Sequence, residues 1–197
     1  MPSFDLLFAC LLAYLLGSLS TAVIVCKLMG LDDPRRHGSN NPGATNVLRI
    51  GSKKAALFTL IGDVLKGMLP VLAAKYYGWN NLALTLVGCS VFLGHLYPLF
   101  FRFQGGKGVA TLFGLTLALS WPLGLALILT WLGLAFSFRY SSLAAIGMSL
   151  CAPFYSWYFI DLHSAGIISL MSLLLIIRHR GNILKLTKGR ENKIGNK

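Results

Sequence analysis

Residues 6–26 read LLFACLLAYLLGSLSTAVIVC, with no Asp, Glu, Lys or Arg among them. An uncharged run of 18 or more apolar residues is the signature of a helix that spans a bilayer. No Lys or Arg precedes the run, and no small-residue cleavage site stands out. We therefore read it as a membrane anchor and not a cleaved leader. The rest of the chain agrees. Its 197 residues are 55% hydrophobic and 12% charged, with a mean hydropathy of +0.68. Soluble domains carry about 25% charged residues. Fold class is thus all-α and membrane-integral.

Working outward, about seven apolar segments lie near 4–28, 55–77, 82–101, 109–119, 122–138, 142–160 and 164–178. A crossing needs about 20 residues, so the fourth is short. Trp121-Pro122 interrupts the run from 109 to 138, and we expect two helices joined by a tight turn there. Seven crossings place Lys27, Arg35, Arg36, Arg49, Arg102, Lys107, Arg139 and the basic tail on one side. The loops near 78–81, 120–122 and 160–163 carry no Lys or Arg. Positive charge collects on the cytoplasmic side, so the expected topology has its N-terminus outside and its C-terminus inside. We see no internal repeat and treat 1–197 as a single transmembrane domain.

The formal net charge of +12 would suggest nucleic acid in a soluble protein. In a membrane protein it reads instead as topology and contact with anionic lipid or substrate, and we expect no nucleic-acid partner. The cysteines Cys10, Cys26, Cys89 and Cys151 lie in or beside apolar runs without a C-x-x-C pair, as small packing residues do. Asp63 and Lys66 stand three apart inside the second segment, where ionisable groups pair and face the bundle interior. A structural ion pair is the plain reading, and a proton or transport pathway the sharper one.

Three segments on the basic side exceed what a connecting loop needs. Residues 37–50, HGSNNPGATNVLRI, gather amides and hydroxyls around Asn-Pro-Gly turn chemistry and end on Arg49. Backbone N–H groups, a hydroxyl and a guanidinium can converge there on an anion. GHLYP at 94–98 is followed by GGKGVAT at 105–111. Gly108 stands where a Walker loop has Ser or Thr, and no strand precedes it, so nucleotide hydrolysis is not expected. The glycines still permit close backbone approach, a helix starts near Val109, and Lys107 adds a full charge. In the tail, RHRGNILKLTKGRENK at 178–193, His179 and Asn182 share a face if the helix continues. Its bland reading is a basic segment on anionic headgroups. Glu191 is the tail's acidic residue and suits a helix pin or a salt bridge to a neighbouring loop.

In order and spacing, GSNNPGATN, GHLYP with GGKGVAT, and RHRGNI with GRE resemble the acyl-phosphate:glycerol-3-phosphate acyltransferase (PlsY) family of bacterial inner membranes. Gln104 and Lys185 depart from the family's common lysine and arginine. The resemblance implies seven helices with the active site at the cytoplasmic face. It implies acyl transfer from acyl phosphate to the 1-hydroxyl of glycerol 3-phosphate, giving 1-acylglycerol 3-phosphate and phosphate. Ser39, Arg49, His179 and Asn182 would be catalytic, with Ser39 and Arg49 on one phosphoryl group and His179 a candidate base. Asn41, Gly43, Thr45 and Asn46 would line the substrate from the first segment. His95, Gly105, Gly106, Lys107, Gly108 and Thr111 would do so from the second, the glycine loop cradling glycerol 3-phosphate. The departing phosphate is an alternative base. Membrane lipids and the soluble enzyme that makes acyl phosphate are the implied partners.

No metal-ligand cluster is evident, and no cofactor is expected. None of His37, His95, His163 or His179 has an Asp five positions on, so the H-x-x-x-x-D signature is absent. The runner-up is a small anion transporter, favoured by Asp63, Lys66 and the broken fourth and fifth segments. A lipid-binding scaffold leaves the loop glycines and amides unexplained.

Overall fold

The computed structural model describes residues 3–195. These residues form ten α-helices and no strand. In chain order they are α1 (Ser3–Gly17), α2 (Thr21–Leu28), α3 (Ala44–Ile50), α4 (Lys53–Tyr76), α5 (Asn81–Leu96), α6 (Val109–Leu119), α7 (Trp121–Phe138), α8 (Ser141–Phe159), α9 (Leu162–Arg178) and α10 (Arg180–Thr187). A 3₁₀ turn, Leu99–Phe101, follows α5. Each of the seven apolar segments is helical. Among the described residues, four stretches are long and apolar enough to cross a membrane, or five if the bent pair α9–α10 is one span.

The span from Lys53 to Tyr76 runs 24 residues, but α6 has only 11, about 16 Å of helix against a ~30 Å hydrocarbon core. The expected break at Trp121-Pro122 is present. Ser120 is extended between α6 and α7, and Pro122 sits in the first turn of α7, where its missing N–H is harmless. Lys75 fits this junction, because its Nζ donates to the carbonyls of Ala118 and Leu119 at the end of α6.

One sequence expectation needs correction, and one condition set there is not met. The first segment is not one unbroken helix: Ser18, Leu19 and Ser20 separate α1 from α2. The freed Leu19 carbonyl accepts from Lys66 Nζ at 2.8 Å, so the break is satisfied by a neighbouring helix. The last helix does not run on either. The chain bends by 57° between α9 and α10, and His179 sits at the bend.

α5 is the most enclosed span, with 61% of its apolar window buried against 22% for α7. Two glycine crossings explain how neighbours approach so closely. A Cβ on Gly17 of α1 would lie 2.1 Å from Val91 O, and one on Gly94 of α5 2.2 Å from Tyr14 O. Likewise a Cβ on Gly67 of α4 would meet Thr111 O at 2.3 Å, and one on Gly114 of α6 Val64 O at 2.0 Å. Small residues at crossings replace the hydrophobic drive that lipid does not supply. Phe92, Leu112, Leu115, Met148 and Met171 fill the core behind them. Outward, Phe58, Leu129, Phe136 and Leu150 stay exposed. An apolar belt of this kind suits lipid, since soluble monomers rarely expose patches beyond a few hundred Å².

Candidate active site

The loop before α3 is held together by one side chain. Asn46 is 1% exposed. Its Oδ1 accepts from Ser39 N–H at 2.7 Å, and its Nδ2 donates to the carbonyls of Pro34 (2.8 Å) and His37 (2.9 Å). Gly38 has φ +63°, and a Cβ there would lie 2.2 Å from Asn46 Oδ1, so only glycine lets the amide close the loop. Asn46 therefore works inside the loop, and its polar atoms are spent there. α3 begins after Gly43 with no side-chain cap, which leaves first-turn N–H groups beside Ser39 and Thr45. Thr45 Oγ1 lies 3.5 Å from Ser141 Oγ.

The glycine loop is held from outside. Arg178 Nη2 donates to Gly105 O at 2.6 Å and Nε to Gly106 O at 3.2 Å. Gly106 N–H donates to His95 O at 3.1 Å. Gly108, at φ +90°, opens α6 without a side-chain cap. With those carbonyls turned to Arg178, the Lys107 and Gly108 N–H groups have no acceptor among the described residues. Such N–H groups at a helix start form a concavity suited to an anion.

The tail closes the site. Lys107 Nζ donates to Asn182 Oδ1, and Asn182 Nδ2 donates to Glu191 Oε1 at 2.7 Å. That oxygen also accepts from Ser142 Oγ at 3.0 Å and lies 3.9 Å from an Arg49 guanidinium nitrogen. Glu191 is thus the hub joining all three segments. Burial lowers the Lys107 ammonium to about 8, with Glu191 opposing and Arg49 and Arg178 adding to the fall. His179, beyond the spanning part of α9, is 3% exposed. Its Nδ1 lies 2.8 Å from Leu175 O. A carbonyl only accepts, so Nδ1 carries the hydrogen and Nε2 is left as an acceptor. Burial first, then Lys107, pushes His179 down to about 4, which keeps it neutral near pH 7.

One cavity of about 630 Å³ gathers these groups. Ser39, Thr45, Arg49, Lys107, His179 and Asn182 lie at its polar part, with Asn41, Gly43 and Gly108 beside them. Leu57, Leu60, Phe113, Trp131 and Leu132 line an apolar part between α4, α6 and α7. His95 and Asn46 reach its wall. Gly105, Gly106 and Thr111 do not. The two glycines pack against His95 behind the loop, and Thr111 is fully buried where α4 crosses α6. A second cavity, about 510 Å³ and lined by Asp33, Arg35 and Arg102, contains none of the predicted residues. Among the described residues, no three His, Cys, Asp or Glu side chains gather as metal ligands.

Sequence reasoning missed Arg178 and gave Glu191 only a generic pairing role. Both stand inside the quoted tail motif, but their partners lie 72 and more residues away or across three segments.

The chain matches the Glycerol-3-phosphate acyltransferase family over residues 7–189. The chain belongs to the glycerol-3-phosphate acyltransferase family. The Burkholderia ambifaria (strain MC40-6) glycerol-3-phosphate acyltransferase is 56% identical over 196 residues, spanning 98% of this chain and 92% of that one. The Methylococcus capsulatus glycerol-3-phosphate acyltransferase is 51% identical over 186 residues, 94% of each. Two crystal structures of PlsY (YgiH), an integral membrane glycerol 3-phosphate acyltransferase, share the fold. The glycerol 3-phosphate form superposes with a TM-score of 0.91 at 40% identity, covering 97% of this chain and 96% of the other. The lysophosphatidic acid form gives 0.89 over the same shares. As in that glycerol-3-phosphate acyltransferase, the fold is that of an integral membrane protein.

Proposed function

We propose that this chain transfers a fatty acyl group from acyl phosphate to the 1-hydroxyl of glycerol 3-phosphate, releasing 1-acylglycerol 3-phosphate and inorganic phosphate. The observation that carries the reading is one cavity lined both by polar groups of the two loops and the tail and by apolar side chains of α4, α6 and α7. A headgroup-sized anion fits the first and an acyl chain the second.

An acyl phosphate is a mixed anhydride with a good leaving group already attached. The acceptor oxygen attacks the carbonyl carbon, the C–O bond to phosphate breaks, and phosphate departs with the bonding pair. The protein's main task is alignment, which alone can supply ~7–11 kcal/mol of a barrier. In our reading Ser39 and Arg49 hold the donor's phosphoryl group. The free N–H groups of Lys107 and Gly108, with the Lys107 ammonium, hold glycerol 3-phosphate. Asn182 orients the glycerol. The hydroxyl proton passes to His179 Nε2 or to an oxygen of the departing phosphate, and the pH profile separates the two.

The reading also assigns seven crossings, an external N-terminus and an active site at the cytoplasmic face of the bacterial inner membrane. The clustering of Lys and Arg on one side supports this. A soluble enzyme that makes acyl phosphate would deliver donor to that face. Purified protein incubated with acyl phosphate and labelled glycerol 3-phosphate should form lysophosphatidic acid and phosphate in equal amounts. Phosphate release without the lipid product, or turnover only with an acyl thioester donor, would overturn the reading.

A further inference from the structure

Behind the glycine loop, at the wall of the same cavity, stand a histidine and a carboxylate that have no part in the chemistry just described. Asp63 on α4 and His95 on α5 are 2% and 7% exposed. Asp63 Oδ1 lies 2.9 Å from Lys66 Nζ and 3.6 Å from His95 Nδ1. Lys66 Nζ also donates to Leu19 O across the break between α1 and α2. The other edge of the imidazole faces the loop. A Cβ on Gly106 would lie 2.2 Å from His95 Nε2, so the Gly106 backbone already touches the ring. The same histidine's carbonyl accepts the Gly106 N–H, and a Cβ on Gly105 would meet that carbonyl oxygen at 2.1 Å. His95 therefore supports the loop with both its ring and its backbone.

A buried ion pair gives little stability over well-packed apolar residues of the same volume. In a bilayer its groups are costly and usually functional. What Asp63 supplies here is geometry. At 3.6 Å the carboxylate is too far from His95 Nδ1 for a hydrogen bond, so it acts on the ring by charge and by packing. The ring in turn sets how far Gly106 can retreat from the cavity.

We propose that Asp63 is a positioning residue: through His95 it fixes the height of the Gly105–Gly108 loop, and so the position of the phosphate that the loop holds. The proposal rests on the reading of this loop as a phosphate cradle.

The test is steady-state kinetics in lipid nanodiscs, with kcat and both Michaelis constants measured for wild type, K107A, H95N and the double variant D63N/K66Q. The double variant avoids an unpaired buried lysine while removing the carboxylate. H95N keeps an amide nitrogen near Nδ1 for Asp63 but removes the ring edge that touches Gly106. Displacing a bound group by 1 Å can cost 10²-fold in rate. We expect D63N/K66Q and H95N each to raise, by about tenfold, the same KM that K107A raises, with the other substrate's KM within about twofold. A merely structural role would reduce the active fraction, hence apparent kcat, and leave both KM values at wild-type levels; that result overturns the proposal. If K107A raises the acyl phosphate KM instead, the assignment of the loop to glycerol 3-phosphate falls. The positioning role then stands if D63N/K66Q moves that constant too, and falls if it moves the other.

Discussion

The two loops that flank the cavity are built in opposite ways. Residues 34–46 are tied from within, by Asn46 reaching back to Ser39, Pro34 and His37. That leaves the Ser39 hydroxyl and the Arg49 guanidinium as the groups offered to a ligand. Residues 105–108 are tied from without, by Arg178 on their carbonyls and His95 behind them. That leaves backbone N–H groups and one ammonium. A loop stapled by its own side chain can present side chains, and a loop gripped from behind can present its backbone. Under the proposed reaction the difference suits two phosphates with different fates, one that leaves and one that stays.

Several substitutions would break or sharpen this contrast. The largest effect is expected from R49A. Removing one charged donor from a site where charge develops typically costs about 10²–10³ in kcat, so R49A should fall by that much in an acyl phosphate assay. Wild-type kcat would remove Arg49 from the chemistry. Next comes K107A. A hydrogen bond to a charged group contributes about 1.5–3 kcal/mol, so KM for glycerol 3-phosphate should rise roughly 10- to 100-fold with kcat less affected.

The alkaline limb should be smaller. Lys107 titrates at about 8 in the protein, so it is charged at pH 7 and mostly neutral at pH 9. Loss of a cation weakens anion binding, and kcat/KM for glycerol 3-phosphate should drop about tenfold between those values. In K107R the limb should disappear, since a guanidinium stays charged. His179, held near 4, should add no acid limb above pH 5. The smallest kinetic effect is expected from N46A, which strips three hydrogen bonds from the self-tied loop. Each buried group left unsatisfied costs about 1–3 kcal/mol, so the thermal midpoint in detergent should fall while KM for glycerol 3-phosphate stays unchanged. A matching rise in that KM would show the two loops acting as one.

Much of this was legible from residue order alone. The long apolar runs announced their helices, because backbone groups in lipid must be bonded within the segment. Trp121-Pro122 announced its break by removing an N–H. The break at Ser18–Ser20 was hidden, since Ser and Leu there keep the run apolar and the compensating Lys66 lies on another helix. The bend at His179 was hidden for a like reason: the contacts that go with it, Arg178 on the Gly105 carbonyl and Asn182 on Lys107, reach across 73 and 75 residues of sequence. Asn46 looked like a ligand because its residue type suits one. Only the fold shows that its amide is consumed by the loop. Residue chemistry therefore located the site, but contacts over long sequence separation decided which polar groups remain free.

The most direct test of two separate phosphate cradles in one cavity is a paired measurement of both Michaelis constants for K107A and S39A under identical lipid conditions. We predict that K107A raises only the constant for glycerol 3-phosphate and S39A only that for acyl phosphate. If both variants shift the same constant, the two loops hold one phosphate between them and the account is wrong.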